Sequence, residues 1–194
     1  GAIWSMGKKS FRGNTRVCVR AKLPGGGGNG AGDGVWPAHW LLPDDGSCWP
    51  SGGEIDIMEM VRGDGKVHGT YHWPCVAGSC IQRHPDSSAV APHTLTDFGT
   101  EWHEYAVEYS PTKISFALDN EVYHQVSAQT TTTKCGNSSG SHAQLYDKPY
   151  YVILNSALGG SNWPGKVSSR TKFPTYHYVD FVRVAQPVAS DTLV

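Results

Sequence analysis

The segment Gly53-Glu54-Ile55-Asp56-Ile57-Met58-Glu59-Met60 places three acids within six residues of an otherwise apolar run. Preceded by the turn-rich Pro50-Ser51-Gly52-Gly53, it reads as a β-strand. In a regular strand residues i and i+2 share a face, so Glu54 and Asp56 point together while Glu59 points into the core. An ionised Glu is severely penalised there. One extra residue at Met58, a β-bulge, shifts the phase and brings all three acids to one face. A bulge is therefore predicted at Met58.

Three carboxylates on one face repel each other, so at least one is expected to hold a proton near neutral pH. A proton-bearing Glu beside an ionised Glu is the pairing that retaining glycoside hydrolysis requires, with the two carboxyls about 5–5.5 Å apart. The competing readings are a calcium site and a solvated charged face. Calcium favours oxygen ligands from a flexible loop, and a solvated face would not be spaced by Ile and Met.

Working outward, Val17, Val19 and Ala21 alternate with Cys18, Arg20 and Lys22 in the period of a half-buried strand. Val35 to Leu42, Val67 to Trp73, Tyr150 to Leu158 and Tyr178 to Val184 read as further strands. The stretches from Trp102 to Tyr109 and from Ile114 to Leu118, with a turn at Asp119-Asn120 into Val122-Tyr123, read as a β-meander. The glycine run from Gly25 to Gly30 lacks the G-K-[ST] of a phosphate cradle and reads as a surface loop. The Thr/Ser/Gly-rich segment from Ser127 to Ser141 reads as another. No span shows a convincing helical period. The expected fold is all-β, a sandwich of two antiparallel sheets with one concave face free for a ligand.

The 194 residues suit one domain, 1–194, with a single sizeable core. Sixteen Lys plus Arg against seventeen Asp plus Glu give a net charge of −1, too even to make nucleic acid the default partner. Charged residues are 17% of the chain, against a usual figure of about 25%. No stretch approaches ~20 consecutive apolar residues, so no membrane span is predicted. The cysteines, at 18, 48, 75, 80 and 135, lack zinc spacing and favour disulfides. One of the five is left over, a buried thiol or one paired outside these residues. Asn137-Ser138-Ser139 is an N-glycosylation sequon, and with the cysteines it favours a secreted, extracellular chain.

The run from Glu54 to Glu59 resembles the signature of glycoside hydrolase family sixteen, in the bulge-containing form of the laminarinases, the endo-1,3-β-glucanases. Gly34-Val35-Trp36-Pro37-Ala38-His39-Trp40-Leu41-Leu42-Pro43, Val67-His68-Gly69-Thr70-Tyr71-His72, Ile153-Leu154-Asn155 with Gly159-Gly160, and Tyr178 to Val184 follow in family order. The resemblance implies a jelly-roll sandwich with a cleft across its concave sheet. It assigns Glu54 as nucleophile, Glu59 as acid/base and Asp56 as the group tuning both. It also implies β-glucan as the partner and no cofactor for catalysis.

The same resemblance makes Trp36 and Trp40 sugar platforms, places His72 near the acid/base, and sets Asn155 and Trp163 at the cleft border. It makes Arg20 a sugar contact, although two residues earlier, where the family commonly has Glu, this chain has Cys18. Asp180 matches a position that helps bind a structural calcium. Family members carry further first strands before the equivalent of Gly1, so a segment or second chain completing the sandwich is an expected partner. Two readings compete with a laminarinase: a non-catalytic β-glucan recognition protein, and the same chemistry on mixed-linkage glucan or algal galactan. Retention of both Glu residues counts against the first. The bulge residue counts against lichenases and xyloglucan enzymes and leaves galactan enzymes open.

Overall fold

In the computed structural model, residues 1–25, 32–74, 87–128, 146–160 and 163–187 are described below. Eleven strands account for the regular structure: β1 (Ala2–Trp4), β2 (Thr15–Lys22), β3 (Val35–Pro43), β4 (Glu54–Glu59), β5 (Lys66–Trp73), β6 (Ser87–Thr94), β7 (His103–Tyr109), β8 (Lys113–Leu118), β9 (Glu121–Ser127), β10 (Tyr150–Leu158) and β11 (Tyr178–Ala185). They form two antiparallel sheets, one ordered β1-β10-β3-β4-β5-β6 and the other β11-β2-β7-β8-β9. The all-β sandwich expected from the sequence is the fold. The meander from Trp102 to Tyr123 is β7-β8-β9, turned at Asp119 and Asn120, both with positive φ. Strands β1 and β6 are additions to the sequence reading. Most of the glycine run, the Ser/Thr-rich segment, the sequon and Cys75, Cys80 and Cys135 lie outside the described residues.

The core forms where the alternating apolar positions of the two sheets meet. From one sheet come Val17, Val19, Tyr105, Val107 and Phe116, and from the other Leu41, Ile55, Ile57, Met58, Tyr71 and Trp73, all buried in one cluster. The bulge lies at the centre of this packing. On the β3 side Trp40 pairs with Asp56 and His39 with Met58, so Ile57 is passed over. On the β5 side Thr70 pairs with Asp56 and His68 with Glu59, leaving Ile57 and Met58 together opposite Gly69. The extra residue thus turns two neighbouring apolar side chains into the core, and both are buried. Gly69 is required there: a Cβ would lie 2.6 Å from the Tyr123 hydroxyl and 2.7 Å from the Phe116 ring.

Among the described residues, one edge of the sandwich is left uncovered. The register turns Ile3, Val179 and Val182 toward the interior, opposite buried Leu154, Ala21 and Val19. They are nonetheless 65%, 38% and 41% exposed. A gap of about 280 Å³ between β1, β10 and β11 is lined by Ile3, Leu154, Val182 and Val184 among others.

Candidate active site

Directly opposed residues of an antiparallel pair share a face, so the register fixes what surrounds the acids. Glu54 pairs with His72, Asp56 lies between Trp40 and Thr70, and Glu59 lies between Ala38 and His68. The bulge therefore delivers the arrangement expected from the sequence, with Glu54, Asp56 and Glu59 acting on one another across one sheet face.

Each acid has identifiable neighbours. Trp36 Nε1 donates to Glu59 Oε1 at 3.1 Å. His72 Nε2 lies 3.2 Å from Asp56 Oδ2 and 3.9 Å from Glu54 Oε1. Trp40 Nε1 donates to Asn155 Oδ1 at 2.7 Å, tying β3 to β10. Trp163 arrives from the loop before β11 and packs edge-on against Trp36, with centroids 5.3 Å apart, and at the same spacing against His68. Five of the sequence-derived ligand-binding candidates, Trp36, Trp40, His72, Asn155 and Trp163, are thus gathered around the acids.

Burial dominates the electrostatics. It pushes Glu54 up to about 8, aided by the charge of Asp56 and the hydrogen bond with it, against the opposing pull of His72 and Trp49. Asp56 is raised by burial, with its hydrogen bond to Glu54 acting the other way. Glu59 is raised by burial and then by the charges of Asp56 and Glu54, while His72 and the Trp36 N–H act in the opposite direction. A hydrogen bond between two carboxyls requires a proton on one of them, so the cluster holds protons near neutral pH. Donor atoms of Glu54, Asp56 and His72 also lie within 4.8 Å of one another, a spacing suited to a metal.

Two sequence-derived positions are not brought to this face. Arg20 projects from β2 on the outer side of the other sheet, where it pairs with Asp180 at 2.5 Å and lies over the Trp102 ring. This corrects the expectation of a sugar contact in the cleft. The calcium expectation at Asp180 does not fit either: its carboxylate is committed to the Arg20 guanidinium, and among the described residues no group of three acidic, His or Cys donors gathers there. Cys18 is a free, buried thiol beside Glu104, as one of the two readings of the odd cysteine has it.

The sequence reading missed several neighbours. Trp49 packs toward His72, and His68 and Thr70 flank the acids on β5. Beneath the sheet, His39 is fully buried and its Nε2 meets His177 Nε2 at 2.9 Å, while His177 Nδ1 reaches Ser156 at 3.2 Å. Burial lowers both imidazoles, His177 to about 4, so the pair is neutral. His68 and Thr70 were accessible from the strand's alternation with His72; the His39–His177 contact spans 138 residues and has no local signal.

Known proteins resemble the chain over most of its length. The chain is 35% identical over 178 residues to glucan endo-1,3-beta-glucosidase A1 of Niallia circulans, covering 87% of this chain and 24% of that protein. It is 34% identical over 175 residues to a beta-glucanase of Rhodothermus marinus, covering 87% of this chain and 56% of that protein. The chain thus spans roughly a quarter to a half of these relatives. The laminarinase catalytic domain from Thermotoga maritima MSB8 superposes with a TM-score of 0.78 at 30% identity, over 97% of this chain and 69% of that one. The model of glycosyl hydrolases family 16 matches residues 9–176, and the chain belongs to that family.

Proposed function

We propose that this chain is the catalytic part of a retaining endo-β-1,3-glucanase. The observation that carries the reading is the bulge, which sets the half-buried Glu54 and the buried Asp56 and Glu59 on one sheet face between tryptophans. The relatives named above, whose own names describe glucanases, support glucan as the polymer. When the proton that the folded site keeps on Glu54 passes to Asp56 along their hydrogen bond, Glu54 becomes the anion that attacks the anomeric carbon. As that bond forms, the bond from carbon to the glycosidic oxygen breaks, and Glu59 gives its proton to the leaving oxygen. Glu59 then takes a proton from water, whose oxygen displaces Glu54 and restores the configuration. No cofactor enters these steps. The indoles of Trp36 and Trp40 offer flat apolar surfaces to the C–H faces of the sugar.

We place the enzyme outside the cell, on the sequon and the cysteine content. We also infer that a further segment or chain covers Ile3, Val179 and Val182, since inward-facing apolar groups left in water are unfavourable.

The test is release of reducing ends from laminarin, lichenan and agarose by the wild type and by Glu54→Ser. Activity on laminarin that the substitution abolishes supports the assignment; equal activity in both proteins removes it. Binding to insoluble glucan without products would instead establish the recognition reading. A fluorinated glycoside is expected to label Glu54, and a label elsewhere contradicts the assigned roles.

A further inference from the structure

The face that carries the acids does not end at Trp40. Trp40 pairs with Ile153, and Ile153 pairs with Trp4, so Asp56, Trp40, Ile153 and Trp4 form one row across four strands. The next row runs Glu59, Ala38, Asn155, Ala2. From Trp40 outward, beyond the acids, these rows floor a groove of about 600 Å³, lined among others by Trp4, Met6, Trp40, Tyr151, Ile153 and Asn155. Trp4 is 56% exposed at its far wall. Strands spaced by about 4.8 Å place Trp4 some 14 Å from Asp56, beyond the reach of the sugar that reacts.

The lining states what the groove reads. Trp4, Trp40 and Tyr151 offer aromatic surface, and Met6 and Ile153 fill the space between them. Polar groups are scarce: Asn155 has its Oδ1 taken by Trp40, which leaves its NH2 as donor. Among the described residues no Lys, Arg, Asp or Glu side chain lines it, which favours an uncharged occupant. We propose that Trp4 is a specificity-determining residue, the outer platform of a distal subsite that takes a neutral glucosyl unit of the same β-glucan chain held by the acids. Continuity of the sheet face from Asp56 to Trp4 selects this occupant over an unrelated apolar molecule. A subsite that stacks rings and hydrogen-bonds through few groups recognises chain length more than the pattern of hydroxyls. The inference rests on the glucan reading of the acid site.

Calorimetric titration of laminarihexaose and laminaribiose, in a Glu59→Gln background that prevents turnover, tests it. Trp4→Ala is expected to weaken the hexaose roughly three- to ten-fold, the worth of one aromatic stacking contact, and to move the biose less. Trp4→Phe, which keeps a ring, is expected to recover most of the loss. An unchanged hexaose affinity, an equal loss for both sugars, or a loss seen only with octyl glucoside overturns the proposal. The hydrolase reading fails separately: a wild type that binds laminarihexaose in this length-dependent way but releases no reducing ends removes the catalysis and leaves the subsite.

Discussion

The indole N–H of Trp36 donates to Oε1 of Glu59 at 3.1 Å, while the ring of the same tryptophan packs edge-on against Trp163. One side chain thus serves as part of the cleft wall and as a brake on the acidity shift of the acid/base. A donor to the ionised carboxylate favours that form, so removing it raises the Glu59 pKa further. Trp36→Phe keeps a ring and loses the donor. Its alkaline limb in the pH dependence of kcat/KM is expected to move to higher pH, with activity down about ten-fold for a lost charge-assisted hydrogen bond. An unmoved limb would show that this bond does not tune Glu59.

Glu54 is held at about 8 in the folded chain against an ordinary 4.5. Below 4.5 it is protonated in both the folded and unfolded states and pH has no purchase on it. As pH rises from 4.5 toward 8 the unfolded chain gives up this proton and the folded chain keeps it, so stability falls through that window. Glu54→Gln is expected to raise the melting temperature above pH 8 and leave it little changed below pH 4.5. Because Asp56 and Glu59 take over part of the proton load, the gain is about 2 kcal/mol, or roughly 4–8 °C for a chain of this size. Thermal melts across pH check both sign and window.

Gly69 leaves no room for a Cβ under the bulge, where the Tyr123 hydroxyl and Phe116 ring close in. Gly69→Ala is expected to cost about 1–3 kcal/mol through overpacking. Urea unfolding measures it, and a neutral result would show that the two sheets separate easily at this point.

Arg20 and Asp180 form a partly exposed pair on the outer sheet, away from the acids. Arg20→Ala is expected to leave kcat and KM on laminarin unchanged and to lower stability by no more than about 1 kcal/mol. A large rise in KM would return Arg20 to the binding face.

The acid strand was legible because its chemistry conflicts with its surroundings: three acids among Ile and Met have a low-cost solution only if the phase shifts. Alternation in β2 likewise separated buried Val17, Val19 and Ala21 from Cys18, Arg20 and Lys22. Alternation says which residues share a face but not which of two sheets owns the strand, so nothing local to β2 could check the cleft role that the resemblance implies for Arg20. Sheet membership depends on pairing with β7 and β11, the latter some 160 residues away. Strand β1 is only three residues long, too short for a period, so Trp4 gave no signal. Strand β6 contains Pro92, which ordinarily argues against a strand and is tolerated here because β6 is an edge.

Ile57 and Met58 meet no sugar in the proposed reaction, yet between them they decide which way Glu59 points. Replacing either by another apolar residue preserves the number of backbone units between Asp56 and Glu59. Deleting either would keep every reactive side chain, remove the bulge, and return the three acids to the i, i+2, i+4 spacing of a regular strand, with Glu59 still on their face and one core side chain fewer beneath it. The bulge is stored as a residue count, so a scan that exchanges side chains one at a time leaves it untouched, and a one-residue deletion shows what it contributes beyond keeping the acids in phase.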